Sequence, residues 1–156
     1  MNGTEFAQRI TDITPMLYRV CCMQLQSPAD RDDAVQEAIF RAWKKIDTLR
    51  HEEYFNTWMV RILINVCRDI QKSRRRTLTT DMLPEPPTQP ASREDELKYA
   101  LQALDEKQRI AVLMHYMEGY SVREVADMLG IGISAVKLRL MRGRQKLRDL
   151  LSEEVF

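Results

Sequence analysis

Glycine and proline are scarce, five and six in 156 residues. An all-β chain needs such residues at its frequent tight turns, so that class is disfavoured. Cysteine appears three times, at Cys21, Cys22 and Cys67. An odd count with no CxxC pair fits neither a disulfide framework nor a zinc site. Reduced thiols packed as small hydrophobic groups are expected instead. His51 and His115 stand near no cysteine pair, so no metal and no other cofactor is expected. No apolar run reaches the ~18–20 residues of a spanning helix. Met1 to Arg9 lacks the basic, apolar and small-residue regions of a signal peptide. No membrane insertion and a cytoplasmic location follow as expectations. The sequence shows no phosphate loop and no nucleophile beside a base, so an enzyme is not expected.

Charge of one sign is lacking overall, with a net of +1, but the distribution is uneven. Residues 1–76 hold 13 basic and 10 acidic side chains, residues 77–96 one and five, and residues 97–156 ten and eight. An acidic strip thus separates two mildly basic halves. Helical periodicity stops in the same strip. Thr77 to Ser92 contains Pro84, Pro86, Pro87 and Pro90, which remove backbone donors and push their predecessors out of the α region. This reads as a semi-extended linker. The expected organisation is all-α: a helical domain at 1–76, a proline-rich linker at 77–96 and a second helical domain at 97–156.

In the first half, Phe6, Ile10, Ile13, Leu17 and Cys21 recur at helical spacing, with Pro15 expected to kink or restart the helix. Ser27 or Asp30 can cap a second helix running to about Ile46, its inward face expected at Val35, Ile39, Ala42 and Trp43 or Ile46. A third helix is expected from about Phe55 to Arg75, burying Met59, Ile62, Leu63, Val66 and Ile70. Its other face carries Arg61, Asn65, Arg68, Lys72 and Arg75. The aromatics Tyr54, Phe55 and Trp58 cluster at its start. Basic tracks with aromatics suit single-stranded nucleic acid, whose bases stack and whose phosphates need neutralising.

In the second half, a helix from Leu97 to Leu104 precedes two capping-box patterns, Asp105 with Gln108 and Ser121 with Glu124. The helix after Asp105 is expected to run to about Met117. Val122, Val125, Ala126 and Leu129 form the inward face of a short helix that Gly130-Ile131-Gly132 breaks. A longer helix follows, from about Ile133 to Leu151. Short helix, glycine turn and basic helix make a helix-turn-helix pattern, whose second helix enters the DNA major groove. Val136, Leu140, Gly143 and Leu147 share its inward stripe. The opposite face presents Ser134, Leu138, Met141, Arg142 and Gln145, with Lys137 on the flank. Between Ser134 and Arg148 stand six basic residues and no acid. Leu138, apolar at the centre of that face, suits a thymine methyl.

DRDDAVQEAIFRAWKKIDTLR (30–50) and FNTWMVRILINVCRDIQKSRRR (55–76) resemble region two of bacterial RNA polymerase sigma factors. ALDEKQRIAVLMHYMEGYSVREVADMLGIGISAVKLRLMRGRQKLRDLL (103–151) resembles region four. With only a short linker between them, the pattern is similar to the extracytoplasmic-function class. The resemblance implies that the block around Asp33, Gln36, Glu37, Phe40 and Trp43 holds core RNA polymerase. It implies that Tyr54, Phe55, Trp58, Arg61, Asn65, Arg68, Lys72 and Arg75 recognise and open the −10 element of promoter DNA. Ser134, Lys137, Leu138, Met141 and Arg142 are implied to read the −35 element, and an anti-sigma factor is implied as a further partner. Gly132 and Leu138 depart from the commoner family residues, a capping serine and a small polar side chain. The rival reading is a stand-alone helix-turn-helix regulator of duplex DNA. It accounts for 103–151 and leaves the first half without a role.

Overall fold

The computed structural model describes the backbone of residues 1–77 and 93–155 and the side chains of residues 1–76 and 96–151. Among the described residues there are seven α-helices and no strand. They are α1 (Gly3–Gln24), α2 (Pro28–Lys44), α3 (Phe55–Thr77), α4 (Arg93–Ala103), α5 (Glu106–Val112), α6 (Val122–Leu129) and α7 (Ile133–Val155). Short 3-10 turns at Ile46–Thr48 and Glu52–Tyr54 join α2 to α3. One compact unit contains α1 to α3; the other contains α4, α5, α7 and residues 122–126 of α6. The proline-rich stretch expected to link them lies, over 78–92, outside the described residues. The described ends of that 77–96 span, Thr77 and residues 93–96, are helical.

The first unit is a three-helix cluster. Asn2 caps α1: its side chain accepts from the Glu5 N–H at 2.9 Å, while Glu5 accepts from the Asn2 N–H at 3.1 Å. The helix does not restart at Pro15 but continues through it to Gln24. Proline deprives the Thr11 carbonyl of its helical partner. Both Pro15 and Thr11 are exposed, so water can serve that carbonyl, and the buried stripe Ile10, Ile13, Leu17, Val20, Cys21 holds the helix on either side. Ser27 is the cap of α2, with Pro28 in the first turn, where a missing N–H costs nothing. That helix buries Ala34, Val35, Ala38 and Ala42. Trp43, expected inward, is exposed, and Ile39 and Ile46 are half-buried. Small side chains let α2 lie close to both α1 and α3. The bulky residues are left on its outer edge.

On α3 the core set is Phe55, Met59, Val60, Leu63, Ile64, Val66 and Cys67. Ile62 and Ile70, expected in the core, are half-buried at its margins. The chain turn before α2 is closed by Arg31, whose Nε and Nη2 donate to the carbonyls of Leu25 (2.8 Å) and Gln26 (3.2 Å).

In the second unit, Asp105 caps α5 by accepting from the Gln108 N–H at 2.8 Å. The expected reciprocal bond is absent: Gln108 Oε1 is buried without a hydrogen bond. The α-helix ends at Val112 and widens into a π turn over Leu113–Met117, so it does not run as one α-helix to Met117. Ser121 and Glu124 do form a full capping box, at 3.1 and 3.0 Å. Val125 and Ala126 are buried on α6, whereas Val122 is half-buried. Gly130 follows with φ +68°, a left-handed conformation that ends the helix at little steric cost. α7 packs on α5, and Val136, Leu140 and Gly143 are its buried residues. Gly143 is a close-approach site: a Cβ there would stand 2.8 Å from Val112 Cγ2.

Candidate functional site

Three exposed faces follow from this packing, two on the first unit and one on the second. The first is the outer side of α2. Asp33, Gln36, Glu37, Phe40 and Trp43 are all exposed there, Phe40 by 54% and Trp43 by 44%. Asp33, Gln36 and Glu37 border an open groove whose other wall, on α3, is Val66, Asp69 and Ile70. Arg41 spans that groove, donating to Glu37 (2.9 Å) and to Asp69 (3.1 Å). Those two hydrogen bonds raise the Arg41 pKa and keep the bridge charged. Beside it, Phe40 and Trp43 line an apolar groove with Phe6 and Ile39. Trp43 is steadied by Phe6, ring centroids 5.1 Å apart, and Lys44 Nζ sits 4.2 Å from the Phe40 ring centre.

The second face is on α3. Arg61, Asn65, Arg68, Lys72 and Arg75 are all exposed. Among the described residues, none of the four cations on this stripe has an acidic partner. The helix buries the opposite side, so the stripe is presented on a rigid support. The aromatics at its start divide. Tyr54 is exposed and Trp58 half-exposed. Phe55 is 1% exposed and belongs to the core, 5.9 Å from the Phe6 ring and below the Arg9 guanidinium. Its expected place on a DNA-facing surface is therefore corrected: it anchors the start of α3. Spacing carried that signal, since Phe55, Met59, Leu63 and Val66 fall on one helical stripe. Arg9 also donates to the Glu52 carbonyl at 2.8 Å, fixing the turn that carries Tyr54.

An ion pair not expected from the sequence closes the far end of α3. Arg74 makes a two-pronged bond to Asp30, Nε to Oδ2 at 3.0 Å and Nη2 to Oδ1 at 2.5 Å. Asp30 is buried at the start of α2, so this arginine secures α3 to α2. In the Arg74-Arg75-Arg76 run, the latter two project outward.

The third face is on α7. Ser134, Lys137, Leu138, Met141, Arg142 and Gln145 are exposed, opposite buried Val136, Leu140 and Gly143. Leu138 is 41% and Met141 49% exposed. No acidic partner holds Lys137 or Arg142 among the described residues. Those residues contain no group of three or more His, Cys, Asp or Glu arranged to hold a metal, and no helix long and apolar enough to cross a membrane.

Comparison with known proteins matches both halves. Residues 10–77 match sigma-70 region 2, and residues 94–147 match sigma-70 region 4. The ECF RNA polymerase sigma factor SigM of Mycobacterium tuberculosis is 30% identical over 139 residues, covering 86% of this chain and 71% of SigM. The ECF RNA polymerase sigma factor EcfG of Rhodopseudomonas palustris is 34% identical over 141 residues, covering 85% and 78%. Among solved structures, CnrH in complex with the cytosolic domain of CnrY aligns with TM-score 0.73 and 25% identity over 98% of this chain and 91% of CnrH. The sigma factor RpoE of Bartonella quintana, solved with the anti-sigma factor NepR, shares the fold at TM-score 0.78 and 24% identity, covering 96% and 98%. A stand-alone helix-turn-helix regulator would leave the region 2 match unexplained. With both regions present in order, the chain belongs to the extracytoplasmic-function class of bacterial RNA polymerase sigma factors, which bind core RNA polymerase and direct promoter-specific initiation of transcription.

Proposed function

We propose that the three exposed faces divide the work of initiation. Asp33, Gln36, Glu37, Phe40 and Trp43 on α2 dock on core polymerase, an acidic edge beside an apolar groove. Tyr54, Trp58, Arg61, Asn65, Arg68, Lys72 and Arg75 follow the opened −10 strand. Stacking on the aromatics offsets the unstacking of bases, and the cations neutralise phosphates. Ser134, Lys137, Leu138, Met141 and Arg142 read the −35 element in the major groove. The domains then correspond to residues 1–76 and 97–156, joined through 77–96. The protein catalyses no reaction of its own and directs initiation in the cytoplasm through binding energy.

The observation that carries this reading is the α3 stripe. Five polar side chains, four of them cationic, stand exposed on one face of a helix whose other face is core. The relatives crystallised with an anti-sigma factor or with CnrY support a protein inhibitor as a further partner, one that covers these faces. The test is transcription from a randomised promoter library by core enzyme with and without this protein. Selection of paired −10 and −35 sequences only when the protein is present supports the reading. Retention on core enzyme with no selected sequence overturns the DNA assignments.

A further inference from the structure

The first unit holds two thiols that none of these roles uses. Cys21 on α1 and Cys67 on α3 are both 0% exposed, and their sulfurs lie 3.9 Å apart. They are 46 positions apart in sequence, so only the packing of α1 on α3 brings them together. Cys22 is next to Cys21 in the chain, but one helical step turns it away by about 100°. It is half-buried and outside the contact. No disulfide joins any of the three.

We propose that Cys21 and Cys67 are a redox pair, which a two-electron oxidant of the hydrogen peroxide class joins as a disulfide between α1 and α3. A disulfide needs sulfurs at about 2.05 Å, so the pair must close by roughly 2 Å, within reach of side-chain rotation and a small shift of the helices. In the first step the Cys21 thiolate attacks one peroxide oxygen. The O–O bond breaks, the leaving hydroxide takes up the proton that Cys21 released and becomes water, and Cys21 becomes a sulfenic acid. In the second step the Cys67 sulfur attacks the Cys21 sulfur. The S–O bond breaks and the hydroxyl departs as water, taking the Cys67 proton. Two thiols are oxidised and one peroxide is reduced to two waters. The contact with Cys67 and the nearby Arg31 charge favour Cys21 as the attacking sulfur. The hydrogen bond from Cys67 lowers its pKa, and the Arg31 charge adds to that, against the burial that raises it. The oxidant reaches a buried site through local opening of the helix cluster. In a reducing compartment such a bond is transient, as in redox sensors, and not a permanent staple.

The test uses the full chain, fully reduced and then treated with hydrogen peroxide under conditions where its far-UV circular dichroism is unchanged. Remaining thiols are alkylated and peptides sequenced by mass spectrometry. The expected product is a monomer two hydrogens lighter, with Cys21 linked to Cys67, Cys22 alkylated, and full reversal by dithiothreitol. Cys22→Ser keeps the crosslink; Cys21→Ala and Cys67→Ala lose it. If either alanine variant misfolds, wild type and Cys22→Ser alone decide. Three alkylated thiols after oxidation, a bond that includes Cys22, or a bond only between two molecules overturns the proposal.

Discussion

Gly143→Ala places a methyl group where Val112 already stands. The added Cβ would lie 2.8 Å from Val112 Cγ2 and 3.7 Å from Gln108 Cβ. Carbon atoms pack best at about 3.5–4.0 Å, so the first contact is too short. Val112 is buried, and a β-branched side chain in a helix has essentially one rotamer, so it does not swing aside. Relief requires α5 and α7 to separate. Overpacking of this kind costs ~1–3 kcal/mol. Against it, alanine is better than glycine in a helix by ~1 kcal/mol. The packing term wins, and a net loss of roughly 1 kcal/mol is expected. Val112→Ala, which removes the obstructing methyl, costs ~1–2 kcal/mol alone. In the double variant the two losses do not add: the new methyl fits and the helix gain is recovered. Urea unfolding followed by far-UV circular dichroism measures all four states. Tryptophan fluorescence is an internal control, because Trp43 and Trp58, the only tryptophans, lie on α2 and α3 of the other unit and should keep their midpoint. If Gly143→Ala instead raises stability by the helix-propensity amount, the close approach of α5 and α7 does not exist as described.

Three further outcomes test the faces themselves. Gln36→Ala with Glu37→Ala should keep the fold and weaken binding to core polymerase by ~2 kcal/mol or more, an interface hot-spot loss, read by direct affinity measurement. Arg68→Ala and Lys72→Ala should each lower open-complex formation and reduce the slope of log affinity against log salt by ~0.7, the single-strand value per phosphate. Permanganate footprinting of the bubble reports the first effect and a salt titration the second. Arg142→Ala should relax preference at one −35 position by ~1–3 kcal/mol, while Lys137→Ala should weaken all promoters about equally; selection from a randomised −35 library separates the two.

Local chemistry made much of this fold legible. Ser27, Asp105 and Ser121 cap the helices that their side chains predict, because a short side-chain oxygen beside bare N–H groups has one good use. The polar stripes of α3 and α7 were legible for the same reason that their cores were: one face fixes the other by rotation. Periodicity leaves Trp43 and Ile46 as alternatives for the inward position because it weighs size and apolarity, while α2 approaches two neighbours through alanine and leaves Trp43 outside. Proline at position 15 predicts a kink or a restart, yet whether it ends a helix depends on which side the orphaned carbonyl faces, a tertiary fact. The Asp30–Arg74 and Cys21–Cys67 contacts join residues more than forty positions apart, and no local pattern announces them.

The α7 face has a property that its cationic neighbours obscure. Leu138 and Met141 stand beside Arg142, so part of this surface is apolar and exposed. Apolar contact releases no counterions, and its mark is a negative heat-capacity change. Binding at the −35 element should therefore retain a component that survives high salt. That component tracks single methyl groups on the bases. Uracil in place of thymine at the contacted step should weaken it, and 5-methylcytosine in place of cytosine should partly mimic thymine. The −35 end of the promoter would then respond to base methylation as well as to ionic strength.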